Sequence, residues 1–102
     1  MLFTVVVKEE AHQDTIDAYN YYEQKQPGLG ERFLDSLSER YQQLSEMPAN
    51  YSYIEEDPAR NLRDIRLKKF PYVVVFEIVN LEVIVYAVHN THRHSDNKLR
   101  KT

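Results

Sequence analysis

The sequence predicts an α+β domain of two layers, a helical hairpin packed on a mainly antiparallel four-stranded sheet, in the order β-α-α-β-β-β. Three observations carry this. Two long amphipathic stretches lie between residues 9 and 46, separated only by Pro27-Gly28. Short β-branched runs precede and follow them. Between the last two runs there is room only for a tight turn. A helical hairpin must bury its apolar stripe, and an antiparallel meander offers it one face.

Leu2 to Val7 is an apolar, β-branched run that reads as a strand buried on both faces. From Glu9, the residues Ala11, Thr15, Ala18, Tyr19 and Tyr22 recur at helical spacing. That predicts a helix from Glu9 to about Lys25, with Glu9, Glu10 and Asp14 near the positive end of its dipole. Pro27-Gly28 breaks it. A second helix is expected from about Leu29 to Glu46, with Phe33, Leu34, Leu37, Tyr41 and Leu44 as its apolar stripe and Pro48 marking its end. So short a turn makes the pair antiparallel. Residues 49–61 are the least regular stretch. Tyr51, Tyr53 and Ile54 are expected to pin it down, and Glu55-Glu56-Asp57-Pro58 to form a solvated turn. Leu62 to Lys68 alternates, with Arg63, Ile65 and Leu67 on one side and Leu62, Asp64, Arg66 and Lys68 on the other. Phe70-Pro71 is a turn, Tyr72 to Val79 a long strand, Asn80-Leu81 a tight connection, and Glu82 to His89 the partner strand. The polar, basic tail from Asn90 is expected to be partly mobile, above all from about residue 95.

Composition narrows the function classes. The chain has 102 residues, which bounds it to one domain (1–102) with a modest core. It has no cysteine, so it carries no disulfide, thiolate metal site or thiol nucleophile. Gly28 and Gly30 are its only glycines, which excludes a P-loop and a dinucleotide fingerprint. No apolar run approaches the roughly 20 residues of a membrane span. The start, Met1-Leu2-Phe3-Thr4, lacks a basic lead and soon meets Lys8-Glu9-Glu10, so it does not read as a signal peptide. The expectation is a cytoplasmic domain without cofactor.

Net charge is −3, but the total hides a division. Residues 1–59 hold four basic and twelve acidic residues; residues 60–102 hold nine basic and four acidic, plus His89, His92 and His94. That asymmetry draws attention to the sheet and tail as the working surface. On the third strand, Tyr72, Val74, Phe76 and Ile78 alternate with Val73, Val75, Glu77 and Val79. One hairpin covers one of these faces. The other, with Val73, Val75 and Val79, is left as a face for a partner.

These residues together resemble the RelE/ParE superfamily of bacterial type II toxins. Val5-Val6-Val7-Lys8-Glu9-Glu10-Ala11 resembles the family's opening strand and helix. Asp14 and Ala18-Tyr19-Asn20-Tyr21-Tyr22 resemble its acidic then aromatic helix pattern, and Pro27-Gly28-Leu29-Gly30-Glu31-Arg32-Phe33 its inter-helix turn. Leu44 to Pro48 resembles the end of its second helix. Arg63-Asp64-Ile65-Arg66-Leu67 followed by Phe70-Pro71-Tyr72-Val73-Val74-Val75-Phe76-Glu77 resembles its basic strand, Phe-Pro-Tyr turn and long strand. Val88-His89-Asn90-Thr91-His92-Arg93 resembles its closing strand.

The resemblance implies a cognate antitoxin as partner and one of two activities: binding and poisoning DNA gyrase, or cleaving messenger RNA on the ribosome. For the second, Arg63 and Arg66 would bear on the phosphate and His89 would serve as acid or base. For the first, Arg63, Arg66, Lys68, Lys69, His92, Arg93 and His94 are the target-binding candidates. The low total charge and the lack of a tyrosine beyond Tyr86 favour the gyrase-directed branch. A non-toxic interaction module of the same fold is the third reading. His89, His92 and His94 also have the spacing of a metal string, but a strand end followed by a loop does not force the rings to converge, so no metal site is expected.

Overall fold

The computed structural model describes residues 2–55, 59 and 61–92. Its elements are β1 (Thr4–Val7), α1 (Glu9–Lys25), α2 (Leu29–Glu46), a 3-10 turn (Pro48–Asn50), β2 (Leu62–Arg66), β3 (Tyr72–Val79) and β4 (Glu82–Asn90). The sheet order is β1-β4-β3-β2. β2–β3 and β3–β4 are antiparallel, and β1 lies parallel to β4. The two-layer α+β expectation holds, and both helices and β3 have the expected bounds. Among the described residues no helix is long and apolar enough to cross a membrane.

β1 departs from expectation. It begins at Thr4 rather than Leu2, and it is an edge strand, not one buried on both faces. Thr4 and Val7 are exposed and only Val5 and Val6 are partly covered. The helical hairpin carries the chain across to β2, and the meander returns toward β1, so β1 gains β4 on one side and, among the described residues, no strand on the other. β2 also stops short, at Arg66, because Leu67 turns into the loop that closes with Leu67 N–H donating to the Tyr72 carbonyl.

The turn between the helices is built around one carboxylate. Gly28 adopts φ +92°, the left-handed region that costs glycine nothing, and its missing side chain leaves α2 without a cap of its own. Glu23, reaching from α1, accepts from Gly28 N–H and Gly30 N–H, each at 3.0 Å. It thereby satisfies two amides at the α2 N-terminus and places a negative charge at the positive end of the dipole.

Ala11, Ala18 and Tyr22 of α1 and Phe33, Leu37 and Leu44 of α2 meet Val74, Phe76, Val83, Val85 and Val88 of the sheet in one core. Its centre is aromatic. The rings of Tyr22, Phe33, Phe70 and Tyr72 lie with centroids 5.0 to 6.0 Å apart, all but one pair edge to face. Burial pushes the Tyr22 hydroxyl up to about 12, helped by Tyr72 and Tyr21. Burial also pushes Tyr41 up to about 12, with the nearby Asp14 charge adding to it. Both phenols therefore hold their protons more tightly folded than unfolded, where the value is 10.0. Their stabilising contribution is complete below about pH 10 and is lost as pH rises to about 12. The urea midpoint is expected to fall across that window, with Tyr41→Phe flattening the fall; a midpoint indifferent to pH there contradicts it.

Candidate target-binding surface

The face of the sheet turned away from the helices is set by a β-bulge. Up to Val85, β4 alternates strictly, with Val83 and Val85 fully buried against the helices and Ile84 on the other side. Val75 then pairs with Ala87 while Phe76 pairs with Val85, so Tyr86 is an extra residue. The insertion shifts the phase by one. Val88, not Ala87, returns to the core, and His89 falls on the outer face opposite Val73. Without the bulge, strict alternation puts His89 on the same side as Val83 and Val85.

Arg66 pairs with Val73, and Val73 with His89, so a cation and an imidazole flank one valine on adjacent strands. Two strand spacings separate their backbones, about 10 Å, within the combined reach of the side chains. Four residues along β3 from Val73, on the same face, Glu77 Oε1 accepts from Tyr86 Oη at 2.7 Å. That hydrogen bond, then burial and the Glu77 charge, raise the Tyr86 hydroxyl above its ordinary value. Asp64 stands opposite Val75. The face thus carries Arg66 and His89 against Asp64 and Glu77, a balanced set rather than a basic one.

The apolar members of this face are not the open patch that strand alternation suggests. Val73 and Val75 are only 6% and 8% exposed, whereas Val79, by the Asn80 turn, is 40% exposed. In a central strand a β-branched side chain is shaded by neighbours on both sides; those of Val73 are Arg66 and His89, those of Val75 are Asp64 and Ala87. Val73 and Val75 form a floor beneath polar groups.

The remaining basic residues disperse. Arg63 sits on the opposite side of β2 from Arg66, and its guanidinium holds the preceding loop. It donates to the Tyr51 carbonyl at 2.7 Å and the Tyr53 hydroxyl at 2.9 Å, and stacks 4.0 Å from the Tyr53 ring centroid. Ile54 N–H to Leu62 O and Asp64 N–H to Ser52 O then seal that half of the β2 edge. α2 seals the other half: Arg40 Nε donates to Arg66 O at 2.7 Å, and Ser36 Oγ to Lys68 O at 2.9 Å. Lys68 Nζ lies 3.9 Å from Glu39. Lys68 and Lys69 border an open groove of about 1300 Å³ between α2 and the 68–71 loop. His92 is exposed just past β4, its backbone N–H bound to the Asn90 side chain. Arg93 and His94 lie outside the described residues.

The target-binding candidates therefore fall in separate places. Arg66 and His89 share the outer face, Lys68 and Lys69 rim the groove, and Arg63 fastens a loop. Reading the sequence alone misses Tyr86 and Glu77 as a pair, because the bulge is invisible to alternation. It also misses Arg32 and Arg40, which look like ordinary helix-surface charges. Among the described residues, no group of three His, Asp or Glu side chains is arranged to hold a metal ion.

A family model described as the ParE toxin of type II toxin-antitoxin system, parDE, matches residues 5–95. Among solved structures the chain is similar to one described as the chromosomal ParDE TA system from P. aeruginosa, with TM-score 0.76 and 15% identity, covering 87% of this chain and 96% of that one. At that identity the likeness is one of fold. No curated protein sequence matches the chain.

Proposed function

The chain belongs to the ParE toxin family of type II toxin–antitoxin systems, and from that membership we propose that it is a cytoplasmic toxin that acts by binding DNA gyrase and is neutralised by a cognate antitoxin. The observation that carries the choice of target is the Glu77–Tyr86 pair on the outer face. A site that cleaves RNA must gather cations around a phosphate whose charge grows in the transition state. Here a carboxylate on the same face, four residues along β3 from Val73, engages the tyrosine and makes it a poorer proton donor. A second carboxylate, Asp64, faces the same way. A protein surface of mixed charge tolerates this arrangement better than a polyanion does.

Ribosome-dependent cleavage of messenger RNA is the second reading, favoured by Arg66 and His89 flanking Val73. One experiment separates the two. Expression without the antitoxin is expected to arrest growth, with gyrase supercoiling inhibited by the purified protein and transcripts intact in the arrested cells. Co-expression of the adjacent antitoxin frame should restore growth. Transcript cleavage on translating ribosomes, abolished by His89→Ala or Arg66→Ala, would overturn the gyrase reading in favour of the second. Unimpaired growth would overturn both and leave an interaction module.

A further inference from the structure

One side chain of the helical layer reaches β4 just past the bulge that turns His89 outward. β1 pairs with β4 only as far as Val7 opposite Val85, and the chain then enters α1. Along the paired stretch the carbonyls of Leu81 and Val85 face β1, accepting from Thr4 N–H at 3.0 Å and from Lys8 N–H at 2.9 Å. Backbone direction alternates along a strand, so Ala87 is next in that series. The extra residue Tyr86 reverses the phase. Val88 N–H is therefore turned to the edge that β1 has left, and there Asp14 Oδ2 accepts it at 2.9 Å. On the opposite side Thr91 N–H donates to the Pro71 carbonyl at 2.7 Å.

The end of β4 needs such a support. Its ladder to β3 is interrupted at Tyr86, and past Val85 it has no strand on its other side. A segment with one neighbouring strand and a distorted ladder opens more easily than the rest of a sheet. A partly buried amide at that edge also needs an acceptor, because burial takes away its water. Asp14 is half-buried on α1, 74 residues from Val88 along the chain. Tyr41 of α2 lies near enough to feel its charge, and the Tyr41 hydroxyl is buried with no hydrogen-bond partner among the described residues. We infer that Asp14 is a positioning residue for the outer face: by accepting from Val88 N–H it ties the end of β4 to α1 and so holds His89 opposite Val73, beside Arg66. The role is the same whichever target the protein binds. Only the growth measurement below rests on the toxin reading.

The full-length parent is compared with Asp14→Ala, Asp14→Asn and Tyr41→Phe by amide hydrogen exchange, by the cross-strand NOE between Val73 and His89, and by growth on expression without antitoxin. In Asp14→Ala, Val88 N–H is expected to exchange at least about tenfold faster relative to Val74 and Phe76 of the central strand, the scale of one hydrogen bond to a charged acceptor. The NOE should weaken and growth arrest should be lost. Asp14→Asn keeps an acceptor oxygen without the charge, so it should retain the NOE and the arrest, with Val88 exchanging about fivefold faster than in the parent. Tyr41→Phe, which alters the same spot but leaves the bond, should match the parent at Val88. A folded Asp14→Ala protein with the parent's NOE or its growth arrest overturns the proposal. So does an Asn variant as disturbed as the Ala variant, or a Tyr41→Phe protein as disturbed at Val88. If Asp14→Ala does not fold, Asp14→Asn decides, and unchanged Val88 exchange in it overturns the positioning role. A parent that does not arrest growth counts against the toxin reading alone, and exchange and NOE then decide the role of Asp14.

Discussion

Phe33→Ala is expected to lower the unfolding free energy by about 3–5 kcal/mol, the largest effect of any single substitution considered for this chain. Phe33 is fully buried. Its ring is in contact with Tyr22, Phe70 and Tyr72 at once, at centroid distances of 5.6, 5.5 and 5.1 Å. Truncation removes its transfer free energy and three ring contacts, and the cavity cannot collapse easily because its walls come from both layers. A domain of this size has a total stability of about 5–15 kcal/mol, so about a fifth of it or more is at stake. Urea unfolding followed by circular dichroism should show a lower midpoint with an unchanged slope. Phe33→Leu keeps most of the volume and should cost less than half as much. Equal losses for Leu and Ala would mean that ring geometry, not filled volume, sets the cost.

Gly30→Ala is the more discriminating substitution, because two principles predict opposite signs. Alanine is the better helix former by about 1 kcal/mol. A Cβ at Gly30 would lie 2.8 Å from Tyr19 Cδ1 and Cε1 and 2.8 Å from Glu23 Oε1. The Glu23 atom is the same oxygen that accepts from Gly30 N–H, so moving it aside breaks a bond at the α2 N-terminus. The steric term, about 1–3 kcal/mol for overpacking, adds to the lost hydrogen bonds and outweighs propensity. The net expectation is destabilisation by about 1–3 kcal/mol. In a Tyr19→Ala background the penalty should shrink, a non-additivity that a propensity effect does not produce. A stabilised Gly30→Ala protein would show that the helices separate at little cost.

These two sites mark where local sequence is sufficient and where it is not. The stripe that contains Phe33 is visible as helical spacing, and both helices run between the bounds that Pro27-Gly28 and Pro48 suggest. Gly30 reads in sequence as turn chemistry. Its actual role is close approach between helices, which depends on Tyr19 lying across from it. The same holds for charge. Arg63 and Arg66 are three positions apart, so alternation alone puts them on opposite faces of the strand. What alternation does not show is that Arg63 ties down the loop at Tyr51 and Tyr53 while Arg66 stands on the outer face beside Val73.

What the sequence by itself determined was the inventory: two helices, four strands, their order, and the α+β class. Helical periodicity, β-branched runs and Pro/Gly punctuation are properties of neighbours along the chain, so they can be read there. The tertiary structure alone decided that β1 is an edge strand beside β4, that Tyr86 is the extra residue of a bulge, and that His89 is thereby turned from the core side to the outer face. Each of these is a matter of which residue lies opposite which across a strand pair. Register is fixed by contacts between segments distant in sequence, and one residue's slip exchanges the two faces of a strand.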